Sequence, residues 1–442
     1  MKLRTLVFAA CTIVSAVILT SGQNLDFERD RHKSILNLIR DDVKKNYYDT
    51  TFKGTDIEAR YKAAAEKLAK ATSVGQLSGI VAQFLIDFDD SHLFYIPPGK
   101  VNKTSYGFDF RMIGIKCYVL HVKKGSDAEK KGLQVGDELY SIDGFQPSRE
   151  ILWKMQYYYY SLRPKPGLNL VVVKPDGKSV DLAIASKITP GKRVKDLTGE
   201  SDDGQDMFDY ERESESADKK TSRQYLYDKL DGACIWKMPG FALDPSKVDD
   251  IMARVRKYPA LILDLRGNGG GRVDMLQRLV ANIFPEDIKV FDEKGRKETK
   301  EIIARSRGKD AYTGKIVVLI DSGSASASEI FSRVVQIEKR GQVIGDVSAG
   351  AVMESRFFDH DLGMDTVVFF GASVTIADVI MKDGKSLEKV GVRPDITLVP
   401  SGKELAAKRD SVLAYALGTL GVDITPEAAG SIFPDDATND QN

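Results

Sequence analysis

The sequence predicts a multidomain α/β protein, and three observations support this prediction. First, 442 residues are enough for about two to four domains, each able to bury its own core. Second, an apolar content of 42% and a charged content of 29% are typical of globular proteins. Third, strand-like and helical runs alternate in the last large segment, residues 223–402, and such alternation is typical of α/β units.

The elements predicted in this last segment come from hydrophobic periodicity and β-branched runs. The predicted strands are Cys234–Met238, Ala260–Leu265, Lys315–Ile320, Gln342–Ile344 and Thr366–Ile376. The predicted helices are Val248–Lys257, Val273–Phe284 and Glu329–Lys339. Residues 403–442 are expected to form a closing helix, Leu405–Leu417, followed by a polar, disordered tail.

The N-terminus has the pattern of a secretory signal peptide, residues 1–22. Two basic residues precede an apolar stretch from Leu6 to Leu19, and small residues lead to an expected cleavage site near Gly22. The pattern predicts an exported protein of the periplasm or cell envelope. Cys11 follows a loosely lipoprotein-like sequence, so a lipid anchor stays open as an alternative.

Residues 23–99 are predicted to be a helical cap. One apolar stripe recurs at helical spacing and consists of Leu77, Ile80, Val81, Phe84, Leu85 and Phe88. The stripe ends at the polar segment Asp89-Asp-Ser-His92, and the prolines Pro97-Pro98 close the element.

Residues 100–190 have a different texture, with short strands punctuated by glycine. The segment Gly125–Gly144 resembles the central signature of a PDZ domain. Tyr106-Gly107-Phe108 stands where such domains carry the loop that holds a peptide's C-terminal carboxylate. A small β domain without a recognition function is the alternative. Residues 191–222 follow, and their acidic composition predicts a solvated, mobile linker.

The overall charge argues against nucleic acid as a partner. Lys plus Arg and Asp plus Glu both number 64, so no net field favours nucleic acid or an anionic membrane, and membrane contact is expected only if the chain is lipidated. The sequence has no zinc-type cluster, P-loop or dinucleotide fingerprint, and we predict neither a metal nor an organic cofactor. In the mature chain only Cys117 and Cys234 remain, either as a pair or as buried free thiols.

Two segments of the last unit are suited to catalysis. Ser324-Ala-Ser-Ala-Ser-Glu329 lies between a strand and a helix, where helix N–H groups favour a developing negative charge near a serine nucleophile. Leu261–Gly271 is a strand that runs into three consecutive glycines, whose backbone N–H groups can approach a ligand closely. A phosphate site is disfavoured because Arg272-Val273 replaces the Lys-Ser/Thr of a P-loop.

Three ordered motifs carry a family resemblance: Asp264–Gly271, Ser324–Glu329 and Leu387–Asp395. Together with the order of cap, PDZ-like domain and core, they resemble the C-terminal processing peptidases and the tricorn-core serine peptidases. The resemblance implies a ClpP/crotonase-like ββα superhelix core and serine-type endopeptidase activity on protein or peptide substrates. It leaves the oligomeric state undetermined.

The family motif also implies site residues. The nucleophile would be Ser326, with Ser324 and Ser328 as structural neighbours. The oxyanion hole would be the backbone N–H of Ala327 together with that of Gly270 or Gly271, donors that stabilise a charge present only in the tetrahedral intermediate.

The usual lysine base of the processing peptidases is absent. Its position, 326 + 25 = 351, is occupied by Ala351, and no lysine lies between Lys339 and Lys382. Alanine cannot accept a proton. The chain instead resembles the tricorn-like branch, in which a Ser-His segment supplies the base.

This second resemblance makes His92 the expected base and Glu388 the acid that orients its imidazole, with Ser91 assisting in the same hydrogen-bond chain. His360 is the alternative base. A catalytically inactive peptide-binding scaffold of the same fold and a crotonase-like acyl-transfer enzyme are the alternative functions.

Overall fold

The computed structural model describes residues 3–98, 102–190, 223–363 and 368–433, with side chains from residue 25 onwards. The expected linker at 191–222 and the expected disordered tail from 434 lie outside the described residues. Among the described residues no helix combines the length and the apolar character needed to cross a membrane. The leader and the first helix of the cap form one continuous helix, and leader cleavage stays a prediction.

Residues 3–96 form three helices joined by short loops and end in a short strand. The elements are α1 (Leu3–Asn46), α2 (Ile57–Lys70), α3 (Val74–Ile86) and β1 (Phe94–Ile96), with a 3₁₀ turn at Phe52–Gly54. Asp56 and Ser73 begin α2 and α3 by accepting backbone N–H groups at the helix N-termini. Most of the predicted apolar stripe, including Leu77, Val81, Phe84 and Leu85, is buried in one cluster between these helices.

Residues 102–190 form a separate β unit with its own core. Five antiparallel strands are hydrogen-bonded in the order β3 (Phe108–Ile113), β4 (Lys116–Val122), β5 (Glu138–Ile142), β6 (Gly167–Val173) and β7 (Ser179–Ala185). A second pair consists of β2 (Asn102–Ser105) and β8 (Lys187–Pro190), and the helices are α4 (Asp127–Lys130), α5 (Leu152–Gln156) and a π-helical continuation at Tyr157–Leu162. Strand β3 lies at the edge of the five-stranded sheet, beside the helical segment.

The last unit contains a six-stranded sheet, and the predicted alternation of strands and helices is confirmed there. The strands are β9 (Tyr225–Leu230), β10 (Ala233–Lys237), β11 (Ala260–Asp264), β14 (Lys315–Ile320), β15 (Gln342–Gly345) and β18 (Ile396–Thr397), in the spatial order β18-β15-β14-β11-β10-β9. All neighbouring pairs are parallel except β9 with β10. The helices between them are α6 (Pro245–Val255), α7 (Val273–Ile283) and α8 (Ala327–Ile337).

A second sheet was largely missed from the sequence. It contains β12 (Ile288–Gly295), β13 (Thr299–Ala304), β16 (Met353–Leu362) and β17 (Val368–Met381), of which only β17 was predicted, in part. The missed strands are rich in charged residues and only partly buried, so they lack the apolar runs that made the six-stranded sheet visible. Strand β1 of the cap pairs with Gly371–Ser373 of β17, and this pairing joins the cap to the last unit.

The predicted closing helix Leu405–Leu417 was wrong as a single element. The segment forms α9 (Gly402–Ala406) and α10 (Ser411–Thr419), and α11 (Pro426–Gly430) follows. Lys408 adopts a left-handed φ of 54°, and the Asp410 side chain accepts the Leu413 N–H to begin a new helix. The carboxyl ends of β11 and β14 meet at one edge of the six-stranded sheet, and in open α/β sheets that edge is where ligands bind.

Candidate active site

The turn between β14 and α8 separates its three serines by environment. Ser324 and Ser328 are fully buried, and their hydroxyls donate to the carbonyls of Leu265, at 2.8 Å, and Asn268, at 2.9 Å. Ser326 is half-exposed. Two of the three hydroxyls therefore brace the turn against the glycine loop, and Ser326 is the one that a substrate can reach.

The backbone of Ser326 is strained. Its φ of 54° and ψ of −119° are rare for a residue with a side chain, and such conformations persist only where the surroundings hold them. Its N–H group donates to the Ala351 carbonyl at 2.9 Å and contacts Glu329 Oε2 at 3.0 Å. The segment around Ala351 and the first turn of α8 thus fix the direction of the Ser326 side chain.

Glu329 is a residue of this site whose role sequence reasoning missed. Its buried carboxylate accepts hydrogen bonds from Ser326 N, Ser348 Oγ, Gly350 N and Ala351 N, at 2.6–3.0 Å. Burial raises its pKa to about 7, against the lowering effect of these hydrogen bonds. The spacing Ser326-x-x-Glu329 is that of a capping box, a signal that could have identified the residue.

The glycine loop contacts the serine turn where side chains would not fit. A Cβ on Gly270, whose φ is 95°, would lie 2.6 Å from Ser326 Cβ and 3.0 Å from Ala327 N. A Cβ on Gly271, whose φ is 140°, would lie 2.4 Å from the Phe241 carbonyl oxygen. Glycine is required at both positions, because a larger residue at 270 would push the loop away from Ser326 and one at 271 would push it away from Phe241.

Asn268, a second residue that sequence reasoning missed, holds the glycine loop in place. Its buried side chain donates to the Met238 carbonyl at 2.7 Å and accepts the Gly270 N–H at 2.9 Å. Its backbone carbonyl accepts the Ala325 N–H at 2.9 Å. The Gly270 N–H is therefore already bound to Asn268. Of the two glycines expected to supply an oxyanion-hole donor, Gly271 is the one without this bond.

A buried ion cluster anchors the start of this loop. Arg266 forms paired hydrogen bonds with Asp264 and with Asp410 of α10, at 2.7–3.0 Å. Although burial opposes it, the charges of Arg266 and Lys237 hold the pKa of Asp264 well below its usual range. Breaking one partner of such a cluster would leave an uncompensated buried charge.

The cap contributes a chain of hydrogen bonds to the same edge. Ser91 Oγ donates to Glu388 Oε2 at 2.7 Å and lies 2.8 Å from His92 Nδ1. Because the hydroxyl has a single hydrogen and donates it to the carboxylate, it accepts from Nδ1–H. The proton on Nδ1 leaves Nε2 with a free lone pair, which is the form required of a general base.

The sequence analysis expected Glu388 to orient the imidazole, with Ser91 assisting. In the structure Glu388 does not contact the imidazole directly, because Ser91 lies between them. The carboxylate also accepts the backbone N–H of Ser91 at 3.0 Å and that of Val352 at 2.9 Å. Burial lowers the pKa of His92 below its ordinary 6.5, while the charges of Glu388 and Asp90 raise it.

A series of contacts through the segment Ala351-Val352 connects Ser326 with His92. Ser326 N binds the Ala351 carbonyl, and the adjacent Val352 N binds Glu388, which in turn binds Ser91. In the described part of the chain no hydrogen bond joins the Ser326 hydroxyl directly to the His92 ring. The contacts of Ser326 and those of the Glu388–Ser91–His92 chain therefore meet at the two adjacent residues Ala351 and Val352.

The structure bears on two points that the sequence left open. His360, the alternative base, pairs with Asp42 of α1 at 2.7 Å and stacks on Phe370, so it lies at the contact between the cap and the second sheet. Cys117 and Cys234 are buried free thiols, which is one of the two alternatives given for them.

Tyr106-Gly107 precedes the edge strand β3, and Phe108 is the first residue of that strand. Tyr106 and Phe108 are buried, and a Cβ on Gly107 would lie 2.5 Å from Ser126 Cβ. Along β3 alternate carbonyls accept side-chain hydrogen bonds: Phe108 from Tyr160, Phe110 from Gln156 and Met112 from Ser322. The edge to which an added peptide strand would pair is thus occupied by the protein's own side chains.

This β unit also contacts the loops of the last unit that follow β14 and β15. Arg111 of β3 forms an ion pair with Asp321 at 2.6 Å, and Asp321 accepts the Gly267 N–H at 2.8 Å. Arg149 forms hydrogen bonds with the Asp346 carboxylate and the Val347 carbonyl. The position of the β unit is therefore linked to the ends of β14 and β15 and to the start of the glycine loop.

Comparison with known proteins finds similar sequences and structures. Residues 233–398 match the model of peptidase family S41. The tail-specific protease of Haemophilus influenzae is 23% identical over 378 residues, covering 80% of this chain and 51% of that protein. A probable CtpA-like serine protease of Staphylococcus aureus is 23% identical over 382 residues, covering 81% of this chain and 65% of that protein.

The chain thus spans from about half to just under two thirds of the length of these relatives. Among solved structures, mature CPAF has the same fold, with a TM-score of 0.64 at 15% identity, over 86% of this chain and 94% of that one. The match of residues 233–398 to peptidase family S41 and the similarity to these proteases confirm the resemblance drawn from the three motifs.

Proposed function

We propose that the protein is an exported serine endopeptidase in which Ser326, His92, Ser91 and Glu388 act together. The observation that carries the proposal is the hydrogen-bond chain Glu388–Ser91–His92, which leaves His92 Nε2 unprotonated and ends at the segment beside Ser326. The chain supplies the proton acceptor that Ala351 cannot. The strained, half-exposed Ser326 supports the role of nucleophile.

In this mechanism the Ser326 hydroxyl attacks the peptide carbonyl carbon, and its proton passes to His92 Nε2. The imidazolium is stabilised through Ser91 by the Glu388 carboxylate. The C–N bond then breaks, and the leaving amine takes the proton from Nε2. A water molecule activated by His92 hydrolyses the acyl-enzyme ester, and the proton returns to Ser326 Oγ.

The oxyanion of each tetrahedral intermediate would lie against the backbone N–H groups of Ala327 and Gly271. Ala327 is the first residue of α8, so its N–H points out of the helix N-terminus together with the positive end of the helix dipole. Gly271 is preferred to Gly270, whose N–H is taken by Asn268. No step requires a metal or organic cofactor.

We assign the core, residues 223–402, to a ClpP/crotonase-like superhelix. We assign the β unit to a PDZ-like domain. The domain would receive the C-terminus of a protein or peptide substrate along β3, at Tyr106-Gly107-Phe108. A docked strand would have to displace the side chains on the β3 carbonyls, among them Ser322, which lies four residues before Ser326. Docking would therefore act on the serine turn as well as recruit substrate.

Export is supported by the leader pattern of residues 1–22. The names of the two relatives, a tail-specific protease and a CtpA-like serine protease, support substrates that are recognised near their C-termini.

The proposal is tested by trapping with a fluorophosphonate followed by peptide mass spectrometry. We expect covalent mass on Ser326 that is lost in His92→Ala. A folded protein that stays unlabelled would support the inactive scaffold instead. Peptide substrates with free and amidated C-termini test docking, and we expect a lower KM for the free carboxylate; equal KM values would remove the docking role.

A further inference from the structure

Asp90 is a buried carboxylate that contacts the backbone of the proposed base, His92. The proposed mechanism gives Asp90 no role. It lies in the turn between α3 and β1, and its side chain is 0% exposed. Oδ1 accepts the His92 backbone N–H at 3.0 Å and the Thr375 hydroxyl at 2.6 Å, and Oδ2 accepts the Tyr47 hydroxyl at 2.9 Å.

These donors come from separate parts of the fold. Tyr47 follows the end of α1, Thr375 lies in β17 of the second sheet, and the third donor is the backbone of His92 itself. Desolvating a carboxylate is expensive unless it is well hydrogen-bonded, so three donors are what its burial demands. One side chain thereby ties the turn that carries His92 to both the cap and the last unit.

We propose that Asp90 is a positioning residue of this site, which fixes the backbone of His92 and places a second carboxylate beside its imidazole. The proposal rests on the proposed function, since it assigns Asp90 a role through His92. Glu388 acts on the imidazole from the Ser91 side, while Asp90 acts through the His92 backbone. The base would thus be held by two carboxylates from opposite ends of the sequence.

The charges around Asp90 are consistent with this role. Lys53 Nζ lies 3.8 Å from Oδ2. Burial and then Asp90 raise the pKa of Tyr47, so this phenol stays a donor at neutral pH. Burial and then the charges of Asp378 and Asp90 raise the pKa of Tyr48.

The test is Asp90→Asn, which keeps the shape and an acceptor oxygen for His92 N but removes the charge. We expect kcat to fall about 10- to 100-fold with KM nearly unchanged, because orientation and imidazolium stabilisation act on the chemical step. The acid limb of the kcat/KM profile should move to lower pH, since a lost negative charge makes the protonated imidazole less favourable.

Asp89→Asn is the matched control. Asp89 precedes Asp90 in the same turn, but its side chain is 70% exposed and pairs with Lys389 at the surface. We expect this variant to keep kcat and the acid limb of the wild type.

Thr375→Val separates anchoring from charge. It removes one donor and leaves the Asp90 charge in place, so kcat should fall by a few-fold while the acid limb does not move to lower pH. If Asp90→Asn fails to fold, Thr375→Val and Tyr47→Phe carry the test, and wild-type kcat in their double variant would overturn the proposal.

A folded Asp90→Asn enzyme with wild-type kcat and an unmoved acid limb would also overturn it. Failure of the proposed function is recognised separately, because the wild type would then show neither fluorophosphonate labelling of Ser326 nor peptide hydrolysis.

Discussion

The two halves of the candidate site are held in different ways. The nucleophile half, made of the serine turn and the glycine loop, lies within one unit and is fixed by Asn268, Glu329 and the buried hydroxyls of Ser324 and Ser328. The base half arrives from the cap and is held by the pairing of β1 with β17 and by hydrogen bonds to Glu388 and Asp90.

This difference teaches that the nucleophile and its base can fail independently. Changes to the bracing groups on the core side should lower the stability of the loops, and they should affect labelling of Ser326 only where the serine turn itself is disrupted. Changes on the cap side should leave a folded core with a poorly placed base. The four expectations below test this division, from the largest effect to the smallest.

Ser326→Ala should have the largest effect. We expect kcat/KM to fall by about 10⁴-fold or more with only a small change in the thermal midpoint, because the hydroxyl is the attacking group and its capping contact with α8 is worth about 1 kcal/mol. Its matched control is Ser328→Ala, which removes a buried donor to the Asn268 carbonyl. That variant should lose about 1 kcal/mol of unfolding free energy and keep Ser326 labelling. The reverse pattern would move the nucleophile to Ser328.

Glu388→Gln should come next, with a loss in kcat of about 10²- to 10⁴-fold. A glutamine amide can point an N–H group at Ser91, which then donates to His92 Nδ1 and forces the ring proton onto Nε2. The protein should stay folded, because the glutamine oxygen can still accept the Ser91 N–H that binds Oε1, although the Val352 N–H then loses its acceptor at Oε2. Steady-state kinetics measures the effect, and wild-type kcat would show that the relay does not orient the base.

Glu329→Gln should change the pH dependence of stability. Glu329 has a pKa of about 7 in the folded protein against an ordinary 4.5. Between these two pH values the native state binds more protons than the unfolded state. The free energy of unfolding of the wild type therefore falls as the pH rises from about 5 to about 8. The unfolding free energy of Glu329→Gln relative to wild type should therefore be about 1–3 kcal/mol higher at about pH 8 than at about pH 5. Urea denaturation at both pH values measures this, and parallel curves would contradict it.

Lys389→Ala should have the smallest effect, although it adjoins Glu388. Its ion pair with Asp89 is exposed on both sides, and such pairs contribute about 0–1 kcal/mol. Both unfolding free energy and kcat should stay close to wild type. A large loss of kcat alone would show that the exposed rim of the turn helps to place His92.

Much of the nucleophile half could be predicted from the sequence. The apolar runs of β11 and β14 and the glycine and serine segments that follow them identify a parallel sheet edge, because their signals are local. Glu329 and Asn268 stood inside the quoted motifs. The capping-box spacing indicates the contact of Glu329 with Ser326, but no spacing indicates the contacts of Glu329 with Gly350 and of Asn268 with Met238, which join distant loops.

The second sheet and the C-terminal helices were harder to predict for a related reason. Strands β12, β13 and β16 are stabilised by pairing with β17 and with one another, and their own sequences are charged and half-buried. The break at Lys408 depends on a left-handed backbone conformation that a lysine rarely adopts.

The sequence by itself determined the α/β core, the serine turn after β14 and the need for a base other than lysine. These follow from periodicity and from residue types within short segments. Only the tertiary structure decided that Ser91 stands between His92 and Glu388, a contact that spans 297 positions, and that Asp90 is buried beneath the same turn. Such contacts depend on how the cap docks on β17, and docking is a property of two packed surfaces rather than of either segment alone.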